Sequence, residues 1–179
     1  MKFNRIINRI AYRFKKVFIV VVCYFDHRLF MKLYFPLLRK MGIKFTGIPR
    51  YIGKDVVFDD FDKIQIGDRV VISNDCHFLT HDYSYTTALI SIGQDPPTDR
   101  AVVRGITVGN NVFIGKKTIV MPNTKIGNNV IIGAGAVVRG VIPDDSVVIG
   151  NPSKVIGKVS ELALKWSTID SKFIRIDKK

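Results

Sequence analysis

The sequence predicts an all-β solenoid, a parallel β-helix with a short helical segment before it and a short helix after it. Six consecutive six-residue repeats run over residues 108–143. Every repeat begins with Val or Ile, and four of the six carry Gly at the second position. A unit this short cannot bury its apolar face alone, so such repeats fold only by stacking on one another. Three short faces in each coil would give a triangular prism.

Each position of the repeat has a physical role in that prism. The first-position aliphatic side chain points into a narrow core, Gly permits a tight corner, and a small fifth residue fits the crowded interior. The same register occurs earlier, over residues 52–63 and 66–77, where Cys76 takes a fifth position. We therefore expect the solenoid to cover residues 46–152. The fifth positions of the six consecutive repeats are Val112, Thr118, Thr124, Val130, Ala136 and Ile142.

The hexapeptide pattern stops after Phe78 and resumes at Ile106. An interruption of this length inside a compact solenoid is usually a functional loop. We expect residues 83–105 to form a loop that is extruded from one corner of the prism.

The N-terminal segment is strongly basic. The net charge of the chain is +13, and residues 1–50 contain twelve Lys and Arg but a single acid, Asp26. Arg5, Arg9 and Arg13 recur every four positions, which predicts amphipathic helices over residues 1–45. Such a segment could cap the first coil, or it could lie on an anionic membrane surface, and the two roles are compatible.

The C-terminal part, residues 153–179, is expected to be a tail with a short helix near residues 160–166. Only Cys23 and Cys76 occur, too few for a disulfide framework, which favours a reducing compartment. The apolar run at residues 17–25 lacks a cleavage site after it and is too short to span a bilayer. We therefore expect a cytoplasmic protein that could attach to the inner membrane face.

Two motifs accompany the repeats, IGAGAVV at residues 132–138 and GNPSK at residues 150–154. Together with the repeats they resemble the hexapeptide-repeat acetyltransferases, in particular the galactoside, maltose and nodulation-factor O-acetyltransferases and those of polysaccharide biosynthesis. The resemblance covers roughly residues 50–158. It implies a left-handed coil, acetyl-CoA as co-substrate, and a homotrimer with its active sites at the subunit interfaces.

The resemblance assigns the catalytic role to His81. A sugar hydroxyl is a poor nucleophile at neutral pH, and a neutral imidazole within hydrogen-bond reach can take its proton. His81 lies where the repeat breaks, which favours a general base over an ordinary surface histidine, whereas His77 is expected to be solvated. Asp82 follows His81 where relatives carry Pro. Its role in orienting the imidazole stays open, because adjacent strand residues point to opposite faces.

The resemblance also implies the residues that bind acetyl-CoA. Gly133 and Ala134 would line the pantetheine arm, Lys116 would lie beside it, and Lys154 would contact the phosphates. Arg139 replaces the family's usual Thr and could meet a phosphate itself.

The resemblance further implies that a polar residue of the preceding coil holds the acceptor, here Asp59 or Asp60, although a solvated acid at a turn is the commoner explanation of either residue. The basic N-terminal segment favours a saccharide or lipid-linked glycan made during capsule, exopolysaccharide or O-antigen synthesis. We expect neither a metal nor a nucleic-acid partner.

Other functions remain open. A zinc enzyme like the solenoidal carbonic anhydrases would need three His ligands, but the chain contains only His27, His77 and His81, and His27 lies outside the repeats. A non-catalytic, membrane-associated scaffold would use only the basic segment. Serine and amino-sugar N-acetyltransferases are nearer alternatives, because the same His81 could serve them.

Overall fold

The N-terminal segment forms a helical hairpin. The computed structural model describes residues 2–175, with side chains from residue 11 onward, so the side chains of Arg5 and Arg9 lie outside the described residues. Helix α1 spans Lys2–Cys23 and helix α2 spans His27–Met41. Asp26 begins α2, because its Oδ1 accepts hydrogen bonds from the backbone N–H groups of Arg28 and Leu29 at 2.7 and 3.0 Å.

The hairpin covers the first coil of the solenoid. Helix α2 buries four apolar or aromatic side chains that join the solenoid's core. The sulfur of Met31 lies 3.2 Å from the backbone nitrogen of Ile52. An exposed end of a stacked core would leave apolar surface in water, and the hairpin removes it. The buried residues of α2 are Phe30, Tyr34, Leu37 and Leu38.

The solenoid has three sheets, which confirms the predicted parallel β-helix. Face A contains β1 (Lys44–Phe45), β4 (Ile64–Ile66), β9 (Ile106–Val108), β12 (Lys125–Ile126) and β15 (Val141–Ile142). Face B contains β2 (Tyr51–Ile52), β5 (Val71–Ile72), β10 (Val112–Ile114), β13 (Val130–Ile132), β16 (Ser146–Ile149) and the antiparallel strand β17 (Lys154–Lys158). Face C contains β3 (Val57–Phe58), β6 (His77–Phe78), β11 (Ile119–Val120) and β14 (Val137–Val138).

The core is a column of side chains stacked from coil to coil. On face C, the register places Phe58 beside Phe78 and Phe78 beside Val120, all three buried. The six predicted fifth positions are buried as well. Cys76 is fully buried and its Sγ lies 3.1 Å from the carbonyl oxygen of Gly115.

An Asn/Asp ladder, defined as Asp68, Asn110, Asn128 and Asp144, runs along the corner between faces A and B. Each Oδ1 accepts a hydrogen bond from the backbone N–H of the preceding coil, at 2.7–2.9 Å. Glycine precedes the first three of these residues, and a Cβ at Gly109 would lie 2.5 Å from the carbonyl oxygen of Gly127. Glycine is therefore required where the coils approach most closely.

The extruded loop leaves the stack between coils without disturbing it. Strands β6 and β11 still pair, although residues 79–105 intervene between their coils. The loop base is a short antiparallel pair, β7 (His81–Asp82) with β8 (Val102–Val103), and it is closed by the backbone N–H of Arg104, which donates to the carbonyl of Thr80 at 2.8 Å. The loop contains helix α3 (Ser84–Ser91).

The chain leaves the solenoid through β17 and helix α4 (Val159–Trp166). Two single turns of 3-10 helix, Phe61–Lys63 and Ser171–Phe173, complete the secondary structure of the described residues. Within residues 2–175, no helix is both long enough and apolar enough to pass through a bilayer.

Candidate active site

His81 lies where face C ends and the extruded loop begins. It is the first residue of β7, pairs with Val103, and leaves about a third of its side chain, 37%, exposed. The preceding residue, Thr80, is fully buried and fixes the backbone at this corner. The imidazole is therefore anchored from the solenoid side while one edge remains accessible.

Two carboxylates from the preceding coil face this imidazole. The Nδ1 atom of His81 lies 3.5 Å from Oδ2 of Asp59 and 3.6 Å from Oδ2 of Asp60. Thr80 holds both acids, because its backbone N–H donates to Asp59 at 3.2 Å and its hydroxyl donates to Asp60 at 2.9 Å. Carboxylates beside Nδ1 favour a proton on that nitrogen, which leaves the lone pair of Nε2 available.

Asp82 makes a different contact from its neighbour. Its Oδ1 accepts a hydrogen bond from the backbone N–H of Ser84 at 3.0 Å, next to the start of α3. Hydrogen bonds from Ser84 hold the pKa of Asp82 below its usual range, and the charge of Arg139 adds to this effect. Asp82 thus shapes the loop, and Asp59 and Asp60 are the carboxylates on the Nδ1 side of His81.

Tyr83 and His77, two further ring-bearing residues close to His81, are exposed. The ring of Tyr83 meets the ring of His81 edge to face, with centroids 5.5 Å apart. His77 lies on the outward side of β6, between Val57 and Ile119 of the neighbouring strands, and is exposed.

Most of the residues that the resemblance assigned to acetyl-CoA lie at another corner, between faces B and C. Gly133 and Ala134 follow β13, and the carbonyl of Lys116, one coil earlier, accepts the backbone N–H of Gly135 at 2.8 Å. Lys154 begins β17 on the adjoining edge. Arg139 instead follows β14 at the His81 corner. The structure therefore separates Arg139 from the other four residues.

The corner between faces B and C has the character that a pantetheine arm requires. Ala134 is exposed, and a Cβ placed on Gly135 would meet no atom within 4 Å. Lys116 and Lys154 are exposed cations suited to phosphates. Gly133 is more confined, because a Cβ there would lie 2.8 Å from Cγ2 of Ile149. Small side chains and flanking ammonium groups thus fit a long, anionic thioester donor.

Sequence reasoning missed the roles of Thr80 and Tyr83. The signal for Thr80 was the offset between corresponding residues of the first two coils. Val57 pairs with His77, so the residues after β3 must lie beside those after β6. That offset places Asp59 and Asp60 beside Thr80 and His81. The contact of Tyr83 depends on the loop's path, which the repeats do not specify.

Among the described residues, no group of three or more His, Cys, Asp or Glu side chains is arranged to hold a metal ion. The three histidines lie in separate places, at the start of α2, on the outside of face C and at the base of the loop.

Comparison with known proteins identifies the family. Residues 105–140 match the family described as bacterial transferase hexapeptide, six repeats. Protein CapG of Staphylococcus aureus is 35% identical over 136 residues, which are 71% of this chain and 75% of that protein. A maltose O-acetyltransferase structure from Clostridium difficile 630 has a TM-score of 0.54 at 25% identity, over 71% of this chain and 75% of that chain. The chain belongs to the hexapeptide-repeat acetyltransferases, a family whose coil is left-handed.

The relatives differ in length. A probable acetyltransferase of Mycobacterium tuberculosis is 32% identical over 116 residues, covering 64% of this chain and 36% of that protein. The chain therefore spans little more than a third of this relative.

Proposed function

We propose that this protein transfers an acetyl group from acetyl-CoA to a sugar hydroxyl, with His81 as the general base. The observation that carries the proposal is the position of Nδ1 of His81 between two carboxylates that Thr80 holds in place. A base held in this way presents one nitrogen in a fixed direction. Membership of the acetyltransferase family and the maltose acceptor named for the C. difficile relative support the reaction class.

A single residue, His81, can both remove and return the proton that the reaction transfers. Nε2 of His81 accepts the proton of the sugar hydroxyl, whose oxygen forms the new bond to the acetyl carbon. His81 then returns this proton to the sulfur as the carbon–sulfur bond of the thioester breaks. Asp59 and Asp60 stabilise the imidazolium between the two steps.

We propose that acetyl-CoA lies along the corner formed by Gly133 and Ala134, with its phosphates near Lys116 and Lys154. In this proposal the protein is a homotrimer, as is general in the family, and the donor lies between two subunits. Exposed apolar side chains on strands and near the C-terminus, including Phe113, Val155 and Ile156, favour contact with another copy.

The membrane surface is proposed as a second partner. Helix α1 exposes Phe14, Val17, Phe18 and Val21, which recur at the spacing of one helix face. Phe25, in the turn that follows, is 85% exposed. We define these five side chains as the α1 apolar face. Its position in the most basic part of the chain suits an anionic inner leaflet, where a lipid-linked glycan acceptor would be met.

The general base is tested by replacing His81 with Ala. We expect the rate of acetyl transfer to fall by about 10²- to 10⁴-fold, which is the usual contribution of a positioned base. Acetyl-CoA turnover against a panel of sugars, lipid-linked glycans, serine and amino sugars provides the measurement. The native mass by light scattering, expected at three times the 20.2-kDa chain mass, should not change. Full activity of the variant would exclude His81 as the base.

A further inference from the structure

A cavity of about 290 Å³ lies between helix α1 and the first coil, and Asp59 forms part of its wall. Oδ2 of Asp59 is also 3.5 Å from Nδ1 of His81, so the same residue borders both the cavity and the candidate base. Ligand sites in proteins usually enclose about 300–1,000 Å³. At about 290 Å³ the cavity lies just below this range, which suits it to a small charged group of a ligand. Its lining residues are Tyr12, Arg13, Lys16, Val56, Val57, Phe58, Asp59 and Phe61.

Two cations of α1 line the side of this cavity formed by the helix. Arg13 is exposed, whereas Lys16 is half-buried, with its Nζ 5.9 Å from the ring centroid of Tyr12 and 5.7 Å from that of Tyr34. Burial lowers the pKa of Lys16, and the charge of Asp55 opposes this shift only through space. Within the described part of the chain, no carboxylate lies within 4.0 Å of Lys16 or Arg13.

Asp55 is the acid whose charge acts on Lys16, but it already forms an ion pair with Lys54 at 2.7 Å. The two tyrosine rings contact the ammonium group of Lys16 but do not neutralise its charge. An anionic ligand would neutralise it in this partly desolvated place.

The remaining wall of the cavity combines Asp59 and two valines with three aromatic residues. Tyr12 and Phe61 meet edge to face with centroids 5.3 Å apart, and Phe58 lies 6.0 Å from Phe61. Aromatic rings pack against the apolar C–H faces of a sugar ring, and a carboxylate accepts hydrogen bonds from its hydroxyl groups. Cationic, aromatic and acidic residues thus line a single cavity.

We infer that this cavity binds the charged end of the acceptor and that the acceptor is an anionic sugar, whose phosphate or carboxylate binds Arg13 and Lys16. The charged end lies beside Tyr12 and Phe61, and the sugar extends past Asp59 so that one of its hydroxyls reaches Nε2 of His81. This inference rests on the proposed acetyl transfer and adds the chemical class of the acceptor.

The experiment compares three acceptors with the full-length protein: a hexose 1-phosphate, a hexuronate and the neutral methyl hexoside. The variants are Arg13→Gln and Lys16→Met, which remove one charge each. Lys15→Gln is the matched control, because Lys15 lies on the same helix but outside the cavity lining. For the preferred anionic acceptor we expect kcat/KM to fall about 10- to 100-fold in each of the two variants and to stay unchanged in the control. The preference between phosphate and carboxylate identifies the anion.

Three outcomes would overturn the inference. One is an equal preference of the parent protein for charged and neutral acceptors. Another is an unchanged charged-to-neutral ratio in both variants. The third is a rise in the KM for acetyl-CoA in place of the acceptor KM, which would assign the two cations to the donor. Absence of acetyl transfer to any acceptor, with His81→Ala equal to the parent, would instead reject the proposed reaction itself.

Discussion

At the scale of single residues, the candidate site combines a histidine from one coil with acids from the coil before it. Thr80 connects them, since its backbone and hydroxyl each bind one acid while its neighbour is the histidine. Asp59 lines the acceptor cavity and Asp60 does not. The two acids should therefore have separable effects on the kinetics.

Replacing Asp60 with Asn should lower kcat by about tenfold or more and leave the acceptor KM unchanged, because Asp60 faces the imidazole and does not line the cavity. Replacing Asp59 with Asn should lower kcat and also raise the acceptor KM. Steady-state kinetics at saturating acetyl-CoA gives both constants, and Asp95→Asn in the exposed loop is the control. If Asp60→Asn raised KM with kcat unchanged, Asp60 would be a contact of the sugar and not a positioning residue.

The sequence could indicate His81 because the interruption of the repeats can be recognised without knowledge of the structure. It could not choose between Asp82 and the acids of the previous coil as neighbours of the imidazole. That choice depends on which residues are stacked in adjacent coils, and on the hydrogen bond that directs Asp82 to Ser84. Chain proximity suggested Asp82, whereas stacking places Asp59 and Asp60 beside the ring.

At the scale of secondary-structure elements, the helical hairpin presents two different surfaces. One side of α2 is buried against the first coil, and the α1 apolar face points to solvent. The sequence left the capping and membrane interpretations open because both use an amphipathic helix. The structure shows that the hairpin covers the core and also exposes a large apolar surface on α1.

The double replacement Phe14→Ser and Phe18→Ser should weaken binding to anionic vesicles by about tenfold or more, since two large apolar side chains lose their burial in the bilayer. Co-sedimentation with vesicles that contain or lack anionic phospholipid gives the partition coefficient. Phe173→Ser is the matched control, because Phe173 is 74% exposed but lies near the C-terminus. Unchanged binding would exclude the α1 apolar face as a lipid contact, and a lost trimer would assign it to a second copy.

At the scale of the whole molecule, the repeats were sufficient to predict a parallel solenoid with buried fifth positions. The hexad is a local pattern that sets the direction of every side chain, so the stack follows once the coils form. Helix α3 and strand β17 were not predicted, because each depends on a tertiary contact. Thr86 of α3 is buried and exchanges hydrogen bonds with the backbone of Arg100, and β17 needs the edge of β16.

The Asn/Asp ladder links the coils from the first to the last, so weakening one rung should destabilise the whole stack. In Asn128→Ala, the backbone N–H of Asn110 loses its acceptor at 2.9 Å. We expect a loss of about 1–2 kcal/mol in the free energy of unfolding and a Tm lower by about 2–8 °C. Lys125→Ala, on an exposed strand position of the same coil, should change the free energy by less than about 0.5 kcal/mol.

Thermal unfolding of both variants must be compared at one protein concentration, because the Tm of an oligomer depends on concentration. Equal Tm values for Asn128→Ala and Lys125→Ala would mean that water replaces the lost acceptor without cost. The stability of the stack would then come from the buried column of aliphatic side chains alone. A selective loss in Asn128→Ala would show that the corner hydrogen bonds also hold adjacent coils together.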